Sequence, residues 1–185
     1  MTLQEEKKAL RRAIKQQTAA LSTEEMACQA AEVFAAIERL PEFAAASTVG
    51  LFWSLPDELP THDIVRRWAA AGKRIALPVT EGVEMTFREF RPEAGLKPGA
   101  FGIAEPDTAQ IFAPEEFDLL IVPGVAFTAD GCRMGRGKGF YDRYLPCCRA
   151  LTIGVCLRHQ LVAGLPCEAH DYRLDRVVCA TNTKG

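Results

Sequence analysis

The sequence predicts an α/β fold: a single three-layer domain over residues 1–185, with a mostly parallel sheet, helices on both faces and two helices at the N-terminus. Short apolar runs typical of buried strands alternate with stretches of helical period. A glycine-rich segment directly follows the apolar run Asp118–Val122. A length of 185 residues is enough for one hydrophobic core, and no internal repeat divides the chain.

Two helices are predicted before the first strand. Leu3, Leu10, Ile14 and Leu21 fall on one helical face, and basic residues occupy other positions. The segment Ser22–Glu25 has the pattern of a capping box, so a second helix begins there and ends near Leu40, before Pro41.

Strands and helices then alternate. A helix through Ile64 and Trp68 is expected to begin after Thr61 as N-cap and to stop at Gly72, and another runs from Phe140 to about Cys148. Residues Gly95–Ala113 are predicted to be a long, loosely structured connection. The predicted strands are Thr48–Trp53, Arg74–Pro78, an edge strand Glu84–Phe90, Phe117–Val122, Leu151–Leu157 and Arg176–Ala180.

Composition narrows the function classes. The 22 basic and 24 acidic residues give a formal charge of −2, so no basic field indicates a nucleic-acid partner. No apolar run is long enough to cross a bilayer, and the charged start Met1–Lys8 lacks the apolar stretch of an export signal. The seven cysteines show no C-x-x-C spacing, which is typical of reduced thiols. We therefore expect a cytoplasmic monomer that acts on small molecules.

The glycine-rich segment predicts a phosphate site. Alternating glycines let backbone N–H groups approach an anion, and the helix N-terminus that follows adds partial positive charge. The spacing fits neither a Walker loop nor a dinucleotide fingerprint. The alternative is a glycine-rich turn with scattered charge. The segment contains Gly131, Cys132, Arg133, Met134, Gly135, Arg136, Gly137, Lys138, Gly139, Phe140 and Tyr141.

Cations and carboxylates elsewhere could complete a polyphosphate site. Lys7 and Arg11 are spaced i,i+4 and point the same way from one helix, although such a face is often only solvated. Asp142 and Asp171 could hold Mg²⁺, which proteins bind through one or two carboxylates plus phosphates and water. For Asp142 the alternative is a favourable partner of the helix dipole.

Two further residues could contact a heterocycle. Glu58 could accept paired hydrogen bonds from an amidine-like edge beside aromatic walls. Trp53 could form such a wall, although core packing is the alternative. Cys132 could be a nucleophile only with a nearby base, which the sequence does not show.

The segment Pro123–Asp142 closely resembles the signature of 5-formyltetrahydrofolate cyclo-ligases, also called methenyltetrahydrofolate synthetases. The resemblance extends to Lys7–Arg11, to Trp53–Glu58 and to His170–Asp175, in the expected order. It implies a single α/β domain that uses ATP and Mg²⁺ and makes 5,10-methenyltetrahydrofolate. Two positions depart from the family pattern: Phe140 replaces a common tyrosine, and Thr128 replaces a frequent aspartate.

The resemblance also implies site roles. Lys7, Arg11 and Arg133–Tyr141 would bind ATP, with Arg133, Arg136 and Lys138 as catalytic residues. Asp142 and Asp171 would hold magnesium. Trp53, Glu58 and Arg136–Phe140 would face the folate. Two rivals stay open: a non-catalytic nucleotide- or phosphate-binding relative, and an isomerase or CoA-transferase-like enzyme, which would need a general base in the cleft.

Overall fold

The computed structural model describes residues 2–166 and 171–181. The helices are α1 (Leu3–Ala19), α2 (Thr23–Glu38), α3 (Pro41–Ala45), α4 (His62–Ala70) and α5 (Phe140–Tyr144). The strands are β1 (Thr48–Gly50), β2 (Arg74–Glu81), β3 (Glu84–Glu89), β4 (Leu96–Pro98), β5 (Ala104–Pro106), β6 (Ile111–Phe112), β7 (Leu119–Val122), β8 (Ala126–Phe127), β9 (Arg133–Met134), β10 (Leu151–Cys156) and β11 (Arg176–Cys179).

Seven strands form one sheet in the order β11-β10-β7-β1-β2-β3-β6. The pairs from β11 to β2 are parallel, whereas β2–β3 and β3–β6 are antiparallel. The carboxyl ends of β1 and β7 therefore lie at the same edge of the sheet, where parallel α/β sheets bind ligands. The predicted fold class, a mostly parallel α/β sheet with helices, is confirmed.

Alternating side chains of β7 divide the core into two layers. Leu119 and Ile121 pack with the apolar faces of α2, α3 and α4, including Phe34 and Trp68. Leu120 and Val122 point to the other face, where they pack with the aromatic cluster around Phe117. Because the side-chain period of a strand is two, a fully apolar run supplies both layers.

Helix α1 packs beyond the carboxyl edge of the sheet rather than on either face. Its buried Ile14 contacts Ala126 and Met134 of the β8–β9 hairpin. Thr18 Oγ1 lies 2.8 Å from Nε2 of His159, in the turn after β10. The hairpin and α1 thus form a third small cluster next to the site predicted from the sequence.

Several predicted elements differ in detail. β1 covers only Thr48–Gly50 of the predicted Thr48–Trp53, and Pro41 begins the short helix α3 instead of ending helical structure, because proline suits a first helical turn. Thr61 is the N-cap residue of α4, as predicted, but its side chain makes no capping hydrogen bond because the hydroxyl donates to Phe52 O (2.6 Å). The capping box at Ser22 is confirmed.

Two predictions about the sheet edge were wrong. The segment Gly95–Ala113 is not loosely structured, because it contains β4, β5 and β6. Since β6 pairs with β3, β3 is not an edge strand. Strands of two or three residues, interrupted by proline and glycine, carry too few alternating positions for a period to be seen. The expectation of one domain over residues 1–185 stays a prediction.

Candidate active site

A cleft of about 360 Å³ opens at the carboxyl edge of the sheet. One part of its wall is apolar and aromatic, and another part is the glycine-rich segment with its cations. The lining residues are Phe52, Trp53, Leu55, Glu58, Pro78, Thr80, Met85, Phe101, Ile103, Glu105, Pro123, Gly124, Arg133, Gly135, Arg136, Lys138, Gly139, Phe140, Tyr141 and Asp142. Most residues predicted for the two ligands therefore meet in one place.

The loop after β1 is held closed by buried polar groups. Ser54 and Thr61 exchange hydrogen bonds from backbone N–H to side-chain oxygen, each 3.0 Å long. The loop thereby presents Trp53, whose half-buried ring stacks on His62 with centroids 4.0 Å apart. The predicted Trp53 thus serves both as packing and as cleft wall, because its ring also contacts the main core cluster.

Arg136 forms ion pairs with two carboxylates of that loop. Its guanidinium donates to Asp57 Oδ1 (2.6 Å) and to Glu58 Oε1 (3.1 Å). Glu58 Oε2 accepts from the N–H of Leu55 at 2.9 Å. Burial raises the pKa of Glu58 above its usual 4.5, and the Leu55 N–H and Arg136 only partly oppose this. Burial also raises the pKa of Asp57, but the hydrogen bond and charge of Arg136 lower it by more, so that the pKa of Asp57 lies below its usual 3.8.

The first half of the glycine-rich segment is a braced β-hairpin rather than an open loop. β8 pairs with β9, and Thr128 Oγ1 accepts from the N–H of Cys132 (3.1 Å) and donates to Asp130. Thr128, the departure from the family pattern, therefore stabilises the turn itself. Cys132 is buried, and the part of the chain that the structure describes brings no base to its thiol by hydrogen bond or ion pair.

The hairpin delivers a buried arginine to the cleft. Arg133 is 6% exposed, donates to Pro123 O at 3.2 Å and pairs with Asp142 Oδ1 at 2.8 Å. Its guanidinium carbon lies 5.3 Å from the ring centre of Tyr141. The Tyr141 hydroxyl is buried and finds no hydrogen-bond partner among the residues that the structure describes, and burial raises its pKa.

The second half of the segment is more exposed. Gly139 adopts a left-handed conformation (φ 69°) that turns the chain into α5. Lys138 Nζ lies 5.6 Å from the ring centre of Phe101, and the rings of Phe101 and Phe140 are 6.2 Å apart. α5 has only five residues and continues as a 3-10 turn, Leu145–Cys147, so the expected helix to Cys148 is a short one.

The N-terminal cations lie beside this cleft rather than in its wall. Arg11 Nε donates to Gly135 O at 2.9 Å and lines a neighbouring cavity of about 140 Å³ together with Arg136. Gly137, which is absent from the cleft wall, lies close to the Arg11 guanidinium. Lys7 Nζ is 3.5 Å from Asp171 Oδ2, and both side chains are largely buried. His170, part of the predicted C-terminal motif, lies outside the described residues.

Metal donors are present without a preformed cluster. Within residues 2–166 and 171–181, no three His, Cys, Asp or Glu side chains are arranged to hold a metal ion. Asp142 uses Oδ1 for Arg133, and its Oδ2 forms no hydrogen bond with the residues described. One carboxylate oxygen beside a phosphate-sized cleft fits the donor set of Mg²⁺, which takes its other ligands from phosphates and water.

Sequence reasoning missed several residues of the cleft wall. Phe101 and Glu105 come from the segment that was predicted to be loosely structured. A glutamate followed by a proline, Glu105-Pro106, in an apolar stretch was the available signal. Among the described helices, none is both long and apolar enough to cross a membrane.

Comparisons with known proteins identify relatives of this chain. The model of the 5-formyltetrahydrofolate cyclo-ligase family matches residues 3–180. The chain is 32% identical to the 5-formyltetrahydrofolate cyclo-ligase of Escherichia coli K12 over 173 residues, 89% of this chain and 95% of that one. It is 27% identical to the mouse cyclo-ligase, covering 96% and 95% of the two chains.

Solved structures show the same likeness. The NMR structure of Aquifex aeolicus 5,10-methenyltetrahydrofolate synthetase superposes with a TM-score of 0.85 at 34% identity, covering 95% of this chain and 90% of that one. The 5,10-methenyltetrahydrofolate synthetase of Mycoplasma pneumoniae gives a TM-score of 0.73 at 25% identity, covering 93% and 97%. A family match over nearly the whole chain and a relative above 30% identity establish the conclusion: the chain belongs to the 5-formyltetrahydrofolate cyclo-ligase family and is an enzyme, a ligase.

Proposed function

We propose that this enzyme converts 5-formyltetrahydrofolate and ATP into 5,10-methenyltetrahydrofolate, ADP and phosphate. The observation that carries the proposal is a single cleft in which a cationic, glycine-rich wall meets an aromatic wall with a carboxylate. The first suits a polyphosphate, and the second suits a flat heterocycle with N–H donors. The relatives named as cyclo-ligases supply the substrate class.

The chemistry needs no protein nucleophile. The formyl oxygen on N5 attacks the γ-phosphorus of ATP, the bond from that phosphorus to the bridging oxygen breaks, and ADP leaves. N10 then attacks the activated formyl carbon and loses its proton, the carbon–oxygen bond breaks, and phosphate leaves. Phosphoryl transfer of this kind depends on positioning and on charge neutralisation.

The chain's own residues have distinct parts in this scheme. Lys138 and Arg136 neutralise the charge that develops on the γ-phosphate, and Arg133 holds Asp142 at the cleft wall. Lys7, Arg11 and the segment Arg133–Tyr141 bind ATP. The folate lies against Trp53, Glu58 and the residues from Arg136 to Phe140.

Mg²⁺ fits this scheme as a partner of ATP. Asp142, with Oδ2 left over from its ion pair, and Asp171 would hold the ion, which would neutralise phosphate charge. Asp171 is paired with Lys7 at 3.5 Å, so Lys7 would orient that carboxylate. The expectations of a monomer and of a cytoplasmic location stay predictions.

The test is growth of the methenyl absorbance after the protein is mixed with ATP, Mg²⁺ and 5-formyltetrahydrofolate. We expect one phosphate to be released for each molecule of methenyl product. Without 5-formyltetrahydrofolate, we expect neither phosphate release nor methenyl absorbance. Binding of ATP without product would indicate the non-catalytic relative instead. Turnover of another substrate without ATP would indicate the isomerase-like rival.

A further inference from the structure

Glu105 in β5 is a buried carboxylate at the cleft wall to which the preceding scheme gives no role. It is 6% exposed and lines the cleft together with its neighbours Phe101 and Ile103. Its Oε1 accepts from the N–H of Thr80, at the carboxyl end of β2, at 3.1 Å. Among the described residues, this is the one hydrogen bond of the Glu105 carboxylate, and no described cation forms an ion pair with that carboxylate.

The other buried charges of the site are compensated. Arg133 is paired with Asp142 and Lys7 with Asp171. Glu58 accepts from Arg136 and from the N–H of Leu55, one on each oxygen. A buried carboxylate is unfavourable unless hydrogen bonds or a cation offset its lost hydration, and it can accept about four hydrogen bonds. Because Glu105 lines the cleft, its remaining acceptor capacity is available to a molecule bound there.

The surrounding backbone confines the carboxylate of Glu105. A Cβ at Gly99 would lie 2.2 Å from Glu105 Cδ and 2.6 Å from Oε2, so the carboxylate lies directly against the backbone of residue 99. The N–H of Gly99 donates to Ile103 O at 2.9 Å, which closes the β4–β5 hairpin around the carboxylate. An acceptor held in this way before binding loses little entropy when the ligand arrives.

We propose that Glu105 accepts the paired N–H donors of the pterin's pyrimidine ring, the 2-amino group and N3–H, and thereby positions the folate. This inference rests on the proposed function, because it takes a reduced pterin as the ligand. A carboxylate matches two parallel donors in one plane, as it does for a guanidinium. Glu58, which already holds Arg136, lies where the heterocycle meets the cationic wall.

The first test replaces Glu105 by glutamine. In Glu105→Gln the amide oxygen can still accept from Thr80, but an NH2 group replaces the free oxygen and opposes the ligand's N–H groups. We expect KM for 5-formyltetrahydrofolate, and its Kd measured without ATP by tryptophan fluorescence, to rise roughly tenfold to a hundredfold. KM for ATP and the melting temperature should change little, a pattern that a purely structural role would not give.

The matched control is Asp107→Asn. Asp107 lies two residues further along, outside the cleft, in an exposed ion pair with Lys97 (2.9 Å). We expect the kinetic constants of this variant to equal those of the wild type. A wild-type KM for the folate in Glu105→Gln would overturn the proposal while leaving the cyclo-ligase reaction intact. Wild-type protein that makes no methenyl product would instead overturn the proposed function.

A second measurement changes the ligand, so that its first comparison uses the wild type alone. A 5-formyltetrahydrofolate analogue with a 2-methyl group in place of the 2-amino group lacks one of the two donors. We expect the wild type to bind it at least tenfold more weakly than the substrate, and Glu105→Gln to bind the two almost equally. Equal binding of both ligands by the wild type, or an undiminished difference in the variant, would contradict the proposal.

Discussion

Lys138 differs from the other cations of the cleft in its partners. Arg133 and Arg136 are held by carboxylates of the protein, whereas Lys138 forms no ion pair within the described ranges and only approaches the ring of Phe101. Its charge is therefore available to a phosphate without the loss of an ion pair. The role of Arg136 differs, because it must share its guanidinium with Asp57 and Glu58.

We expect Lys138→Ala to lower kcat about 10²- to 10³-fold, the usual effect of removing one group that stabilises transition-state charge. Because the side chain is exposed, the melting temperature should stay within a degree or two of the wild type. Steady-state kinetics at saturating ATP measure the effect. Lys97→Ala, which removes an exposed lysine away from the cleft, is the control. Unchanged turnover in Lys138→Ala would contradict the role given to this lysine.

For individual residues, the sequence indicated which residue types lie at the site but not which of them form ion pairs or hydrogen bonds with one another. Gly135, Arg136, Lys138 and Gly139 all reach the cleft as their spacing predicts. The pairing of Arg136 with Asp57 joins positions 79 apart, and no local pattern encodes it. Glu105 was missed for the same reason, since its partner Thr80 is 25 residues away and its strand is too short to show a period.

The β8–β9 hairpin is the element on which the site depends. Gly131 in its turn has φ +91°, and a Cβ there would lie 2.2 Å from Leu174 O. The N–H of Leu174 in turn donates to Gly131 O at 2.9 Å, which ties the segment before β11 to the hairpin. The turn therefore requires glycine both for its backbone conformation and for this close approach.

Gly131→Ala should lower the free energy of unfolding by about 1–3 kcal/mol, because the alanine must adopt an unfavourable φ and displace Leu174. Urea denaturation measures this loss. Gly164→Ala is the control, because its Cβ would meet nothing within 4 Å and its φ is not positive. We expect that control to change the stability by no more than about 0.5 kcal/mol. Equal effects of the two substitutions would contradict the account of the turn.

Long helices with a clear hydrophobic periodicity were predictable from the sequence, and short strands that pair in hairpins were not. The amphipathic face of α1 and the capping box of α2 are local signals, and the structure confirms both helices. The segment from Arg133 to Phe140 was expected to be an open loop before a helix, but Thr128 and Asp130 fold its beginning into a hairpin. Such a hairpin is stabilised by α1 and by the segment before β11, which a window of neighbouring residues does not contain.

In the whole molecule, α1 joins the site to the turn that follows β10. It contacts Gly135 through Arg11 in the middle of the helix and approaches His159 through Thr18 near its C-terminal end. Burial lowers the pKa of His159 below its usual 6.5. The unfolded chain therefore takes up a proton before the folded protein does. The contribution of neutral His159 to stability is complete above pH 6.5 and declines as the pH falls from there through the folded-state pKa.

We accordingly expect the melting temperature to fall between about pH 7.5 and pH 5.5, and to fall less in His159→Gln, which keeps an N–H near the position of Nε2. Thermal unfolding at the two pH values, followed by circular dichroism, gives both slopes. Identical slopes in the two proteins would show that another group causes the decline. Glutamine in place of the ring also changes packing, so the slopes and not the absolute melting temperatures are compared.

Phe101 lowers the stability of the folded protein but contributes to the wall of the cleft. It is the non-glycine residue with positive φ among those described (58°); the residue is 58% exposed and lines the cleft. Holding a bulky aromatic in this conformation is unfavourable by about 1 kcal/mol or more. Glycine at this position would make the protein more stable, but the cleft would lack the aromatic ring that forms part of its wall. Selection for thermal stability alone would therefore favour replacement of Phe101. If Phe101 is retained, the reason is substrate binding.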